Sequence, residues 1–211
     1  MNAFAPVMLT SLLLLSNVAA AQAPQAPAAA PADRAAVTFD EIERGVYFGL
    51  AAGPLFLVNP PSDTGPRPFS TGPYAQVELG VDLGTRLSLG AFVQISSSRT
   101  GAEYTGNSNG SVSGDFTTLV PGAALRARLV GFADSQEVVR TWIYLRAGAG
   151  YAMFSPKQLL PDSDILVFGG PGVEYYTRLR HFSVGLEVTG TYLVDSGTYG
   201  FAISPNLRYA F

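Results

Sequence analysis

From Gly45 to the carboxyl terminus the chain alternates apolar and polar residues in runs of about ten. A period of two held over that length is the pattern of a β-strand with two unlike faces. Ala75, Val77, Leu79, Val81 and Leu83 alternate with Gln76, Glu78, Gly80 and Asp82. After the tight turn Gly84-Thr85-Arg86, Leu87, Leu89, Ala91, Val93 and Ile95 alternate with Ser88, Gly90, Gln94 and Ser96. Further runs are Leu119 to Leu129, Ile143 to Met153, Val167 to Tyr175, Phe182 to Tyr192 and Tyr199 to Phe211, preceded by a less regular first strand from Gly45 to Val58. The count is about eight, and a closed antiparallel barrel in a membrane takes an even number.

The connections alternate in length, which is independent of the count. Asn59 to Gly72, Ser97 to Gly114, Ser155 to Ser163 and the shorter Val194 to Gly197 follow the odd strands; Gly84 to Arg86, Gly131 to Glu137 and Leu179 to His181 follow the even ones. Long loops on one side and short turns on the other are the asymmetry of outer-membrane barrels, with both termini on the periplasmic side.

An alternating sheet also suits a soluble barrel with its apolar face inward, so the polar face has to decide. Its charges are Glu78, Asp82, Arg126, Arg128, Arg140, Arg146, Glu174, Arg178, Glu187 and Arg208, among many Gly, Ser and Thr and without Lys. A water-facing surface is dense in Lys and Glu. Arginine forks that satisfy several carboxylates at once fit a crowded, narrow interior. The apolar face of these strands carries no charge, as a hydrocarbon-facing surface requires. The low charge of the chain, 14% where roughly 25% is usual, has the same cause.

The last run ends in Tyr209 and Phe211 after Ile203 and Leu207. That ending resembles the terminal signal of Gram-negative outer-membrane barrels, in which a final Phe is recognised by the insertion machinery. Pro121, Pro171 and Pro205 stand on the lipid-facing parity of the fourth, sixth and eighth strands. A proline removes a ladder donor, so bulges are expected there. Gly148-Ala149-Gly150 and Gly169-Gly170-Pro171-Gly172 precede no helix and are not phosphate loops.

Ahead of the barrel, the apolar run Ala3 to Leu15 and the sequence Val18 to Gln22 read as a secretory signal peptide cut after Ala21, although its first residues hold no Lys or Arg. An Ala/Pro-rich periplasmic spacer and lead-in follow, giving the division 1–21, 22–44 and 45–211. Thr38 and Glu41 stand at capping-box spacing, but a solvated lead-in describes this stretch better.

The net charge of −3 excludes a broad basic surface, so no nucleic-acid partner is expected. Without Cys and with one His, no metal site and no cofactor site are expected either. Small outer-membrane barrels that modify lipid A need a His with a Ser or carboxylate near the outer surface. His181 is the one candidate, but its turn falls on the periplasmic side and its parity offers no partner beyond Glu187. No catalytic residue is therefore assigned. Eight strands leave an interior that side chains fill, which favours a plugged scaffold over a pore.

Phe39 to Phe48, Gly131 to Val138 with Arg140 to Tyr144, and Gly172 to Phe182 resemble the CglE family of myxobacterial adventurous gliding motility proteins. The similarity runs from about Phe39 to Phe211 and carries over no catalytic residues. It implies an outer-membrane component of a gliding apparatus, with outer-membrane lipid and periplasmic or outer-membrane proteins of a motility complex as partners. The reading of the whole is an all-β chain, a closed antiparallel up-and-down transmembrane barrel of about eight strands, exported to the outer membrane and not an enzyme. The alternatives are a lipid-modifying barrel enzyme, and a general structural barrel or narrow pore.

Overall fold

The computed structural model describes residues 42–58, 70–98, 116–155 and 163–211. The signal peptide, the spacer as far as residue 41, and the long loops at 59–69, 99–115 and 156–162 lie outside the described residues.

Eight strands close into one barrel: β1 (Val46–Leu57), β2 (Ser70–Leu83), β3 (Leu87–Ser98), β4 (Phe116–Ala133), β5 (Val139–Ser155), β6 (Ser163–Tyr176), β7 (Phe182–Leu193) and β8 (Thr198–Ala210). Each pairs antiparallel with the next, and β8 returns to β1 through Tyr47↔Ala210 to Leu57↔Gly200. The up-and-down topology expected from the alternation is the observed one. Closure leaves no edge strand, so every strand has a hydrogen-bonded neighbour on both sides. The short turns and the start of β1 share one rim, the turn end; the long connections share the other, the loop end.

The pleat sorts the side chains. Leu50, Leu79, Val93, Leu125, Leu145, Val173, Leu186 and Leu207, one from each strand, point outward and are 44% to 59% exposed. A soluble protein rarely exposes an apolar patch beyond a few hundred Å²; here the belt runs round all eight strands. Glu78, Asp82, Arg126, Arg128, Arg140, Arg146, Asp164, Glu174, Glu187 and Arg208, the charged residues of the strands, all point inward and are shielded from solvent. The barrel is inside-out relative to a lipocalin-like one, and hydrocarbon is the medium that suits its exterior.

The strands outrun the alternating segments. β2 starts at Ser70 rather than Ala75, β4 extends to both Phe116 and Ala133, β5 begins at Val139, and β6 begins at Ser163. At the rims both faces can be polar, so the hydrophobic period fades before the hydrogen bonding does. Arg178 departs from its expected inward place: β6 ends at Tyr176, and Arg178 lies exposed in the β6–β7 turn.

The prolines do not make bulges. The register shifts lie between β4 and β5, at Arg128/Val130 and Phe132/Ala133. The first puts Leu129 and Val130 side by side on the outside, 47% and 49% exposed. At the prolines the ladder is interrupted with its register intact. β6–β7 pairing stops at Gly169↔Gly190 and resumes at Gly172↔Glu187; β1–β8 pairing skips from Ala51↔Asn206 to Leu55↔Ala202, and β4–β5 from Leu119↔Met153 to Gly122↔Gly150. A missing N–H leaves the facing carbonyl without its donor. At three prolines the facing carbonyl tips over the glycine just before the ring: a Cβ on Gly170, before Pro171, would stand 1.9 Å from Val188 O, one on Gly53, before Pro54, 2.0 Å from Ile203 O, and one on Gly72, before Pro73, closer still to Ser97 O. Only glycine permits that approach.

Candidate functional site

The barrel interior has two halves. Toward the loop end, Leu55, Leu57, Phe92, Val120, Phe154, Leu166, Phe168 and Leu193 pack into an apolar cluster, with Phe92 and Phe168 edge to face at 5.4 Å. Apolar residues at these inward positions interrupt the polar parity and so hide from a reading that assigns one face to each medium. Toward the turn end the interior is ionic.

The two halves meet at Arg146. Its guanidinium lies 4.9 Å from the Phe168 ring centroid and donates to Glu187 at 3.0 Å and to Glu78. Glu78 also accepts from Tyr47 Oη at 2.6 Å and Gln76 at 3.2 Å, and Glu187 accepts from Tyr144 Oη at 3.0 Å. Below these tyrosines come two more arginines, Arg208 at 3.5 Å from the Tyr47 centroid and Arg126 at 4.4 Å from that of Tyr144. Glu174 gathers the lowest layer: it accepts from Arg126 at 3.2 Å, Arg128 Nε at 3.0 Å and Ser183 at 2.8 Å. Asp82 lies 2.6 Å from Arg208 and 3.2 Å from Arg128, and takes the Ser88 hydroxyl at 2.6 Å.

Arg126, Arg128, Arg146 and Arg208 thus face Glu78, Asp82, Glu174 and Glu187, and the charges balance. Such pairing is what allows ions in a low-dielectric space, since an unpaired one would cost several kcal/mol. Between Arg126, Arg146, Glu78 and Glu187 remains a cavity of about 20 Å³, room for a single water. Among the described residues, the apolar cluster and the ion-paired side chains fill both halves of the interior. Of the charges expected to point inward, the structure brings all but Arg178 into the barrel, and Arg140 forms its own pair with Asp134 at 2.7 Å near the turn rim. Asp164, at the loop end, escaped sequence reasoning because it sits next to a loop. It accepts from Ser196 Oγ at 2.6 Å and from the Asp195 and Ser196 amides at 2.8 and 3.0 Å, and so ties down the β7–β8 turn.

The turn end is where the lead-in acquires a role. Arg44 reaches over the mouth, donates to Thr85 O at 2.6 Å, and lies 5.6 Å from the Tyr176 centroid and 5.9 Å from that of Trp142. Arg128 holds Tyr176 from inside at 5.7 Å. His181 does not meet Glu187, which is engaged in the interior. Its Nδ1 stands 2.7 Å from Glu43 and 2.9 Å from Ala210 O, and its ring stacks on Tyr209 at 5.2 Å. Glu43 also pairs with Arg180 at 3.8 Å. Glu43 and Arg44 are therefore docked rather than merely solvated. No local signal announces contacts of this kind, because their partners lie far along the chain. Ser183, the serine nearest to His181 in sequence, turns inward to Glu174.

No family model matches the chain, and no curated protein does. Among solved structures it is similar to Neisserial surface protein A (NspA), with 15% identity, 79% of this chain and 97% of that one covered, and a TM-score of 0.56. Ail of Yersinia pestis matches at 15% identity over 79% of this chain and all of the other, with a TM-score of 0.40. OprG from Pseudomonas aeruginosa matches at 10% identity over 82% and 99%, with a TM-score of 0.48. At such identities the likeness to NspA is one of fold: a small closed barrel.

Proposed function

We propose that the chain is a non-enzymatic outer-membrane barrel acting as a structural or docking element of a cell-surface gliding-motility or adhesion apparatus. One observation carries this reading: an apolar exterior belt encloses an interior packed shut by balanced ion pairs and an apolar cluster. That arrangement fits a rigid scaffold, and it leaves the two rims for recognition. The short turns and the Glu43/Arg44 lead-in face the periplasm, where the spacer meets protein partners; the long loops face outward. The absence of catalysis is supported by His181, whose Nδ1 is engaged at the turn rim, away from the surface where lipid A lies. The motility role rests on the family resemblance of the barrel sequence.

Deletion of the gene and substitution His181→Ala separate the readings. Lost single-cell gliding on deletion, with an unchanged lipid A profile in H181A, is expected. A changed lipid A profile in H181A supports the enzyme instead, and normal gliding after deletion removes the motility role. Extraction only by detergent, with a heat-dependent shift on an unboiled SDS gel, is the expected membrane signature.

A further inference from the structure

Where Pro171 interrupts the β6–β7 ladder, the outer surface dips into a furrow of about 250 Å³ lined by Ile143, Pro171, Gly172, Val173, Leu186 and Val188. Every lining group is apolar. Toward the turn end the same outward face of β6 and β7 carries Tyr175, Val184 and Phe182, each 39% to 42% exposed. It ends at the β6–β7 turn, whose Leu179 is 66% exposed, between Arg178 and Arg180. The two arginines differ. Arg180 pairs with Glu43, whereas Arg178 stands exposed with no hydrogen bond or ion pair to another described residue.

We propose that this furrow and Arg178 together hold one phospholipid, its acyl chain along β6–β7 and its phosphate on the Arg178 guanidinium. The site rests on the membrane reading above and adds an occupant to it. Depth decides which lipid. Val173 is three residues before the end of β6 and five before Arg178 in the turn, at most about 16 Å along the strand direction, and a tilt of roughly 40° reduces that to at most about 12 Å of depth. One leaflet of a ~30 Å hydrocarbon core spans about 15 Å. The furrow therefore lies within the leaflet whose headgroups border the turn end, the periplasmic one. Lipid A, anchored in the opposite leaflet, does not reach Arg178. The arginine fork matches a phosphate in charge and shape, and Leu179 beside it presents an exposed apolar side chain to the same interface.

Native mass spectrometry of the full barrel, extracted from cell membranes in mild detergent, tests this. One retained phospholipid is expected on the wild type and on R86Q, whose arginine lies in the β2–β3 turn away from the furrow. Several-fold less is expected on R178Q, which removes the phosphate contact, and on V188W, which fills the furrow; the heat-dependent gel shift reports that each variant is folded. A folded wild-type barrel with no phospholipid overturns the site, as does equal retention on R178Q and V188W, or a retained lipid A. Recovery of the protein in water without detergent overturns the membrane reading itself, a result distinct from a detergent-bound barrel that carries no lipid.

Discussion

Arg128 and Glu174 form an ion pair at 3.0 Å in which neither side chain touches solvent. They come from β4 and β6, which are not neighbours, so the pair crosses the barrel and braces two walls. Arg126 and Ser183 hold the same carboxylate from β4 and β7. Removing one partner of a buried pair leaves the other charge uncompensated, at about 3–5 kcal/mol. Glu174→Gln is therefore expected to destabilise the folded barrel by that amount, measured by urea unfolding in lipid vesicles. The double variant Glu174→Gln with Arg128→Met is expected to cost less than the sum of the two single changes. Simple additivity would mean that the pair does not couple the walls.

The outer belt gives a prediction about the medium. Val93 is 50% exposed in the middle of β3, between Val77 and Pro121. Val93→Arg is expected to cost about 2–4 kcal/mol in a bilayer, the depth-dependent penalty for a cation in hydrocarbon. In water the same change on a half-exposed surface would cost little. Comparing folded fractions of V93R and V93S after refolding into vesicles tests whether hydrocarbon covers this face.

Strand number, order and facing were legible because period two is a property of local sequence. Leu79 and Glu78 announce their opposite faces by adjacency alone. Interior partnerships were legible only as residue types: five arginines and their carboxylates share one parity, but which meets which depends on barrel closure, as with Arg146 bridging Glu78 and Glu187 from three strands. Arg178 was misplaced because a polar parity was extended past the end of β6. Glu43 and Arg44 gave no signal, since their partners, His181 and Thr85, are brought near by the fold. The prolines were read correctly as ladder breakers and wrongly as bulges. A bulge needs an extra residue on one strand, and proline only removes a donor.

Gly170 and Gly169 separate a backbone requirement from a composition preference. A Cβ at 170 would stand 1.9 Å from Val188 O, a backbone atom that cannot swing away. Gly170→Ala is expected to cost about 1–3 kcal/mol, the range for forced overpacking. At Gly169 the nearest atom to a new Cβ is 3.4 Å away, so Gly169→Ala is expected to be close to neutral. Equal unfolding midpoints for the two variants would contradict the tipped-carbonyl account of the Pro171 seam.

The β4–β5 turn carries an acid-sensitive clasp outside the membrane span. The amide of Gln136 donates to Asp134 Oδ1 at 2.8 Å and holds the carboxyl below its ordinary range. Desolvation opposes this less strongly than the Gln136 amide favours it, and Arg140 Nε at 2.7 Å and the Val138 amide at 3.2 Å add further lowering. The turn needs the clasp, because Glu137 sits at φ +64°, a left-handed conformation unfavourable to a side chain of its type. A carboxyl whose folded pKa is depressed stabilises fully above its unfolded value, about 3.9. That contribution is lost as pH falls through the lower folded value. Amide exchange at Gln136 and Val138, corrected for intrinsic rates, is expected to stay slow above pH 4 and to speed up below it. Asp134→Asn is expected to remove most of that pH dependence, while Glu137→Gly, which relieves the strained φ, slows exchange at every pH. An acid response unchanged in Asp134→Asn would assign it to another carboxylate.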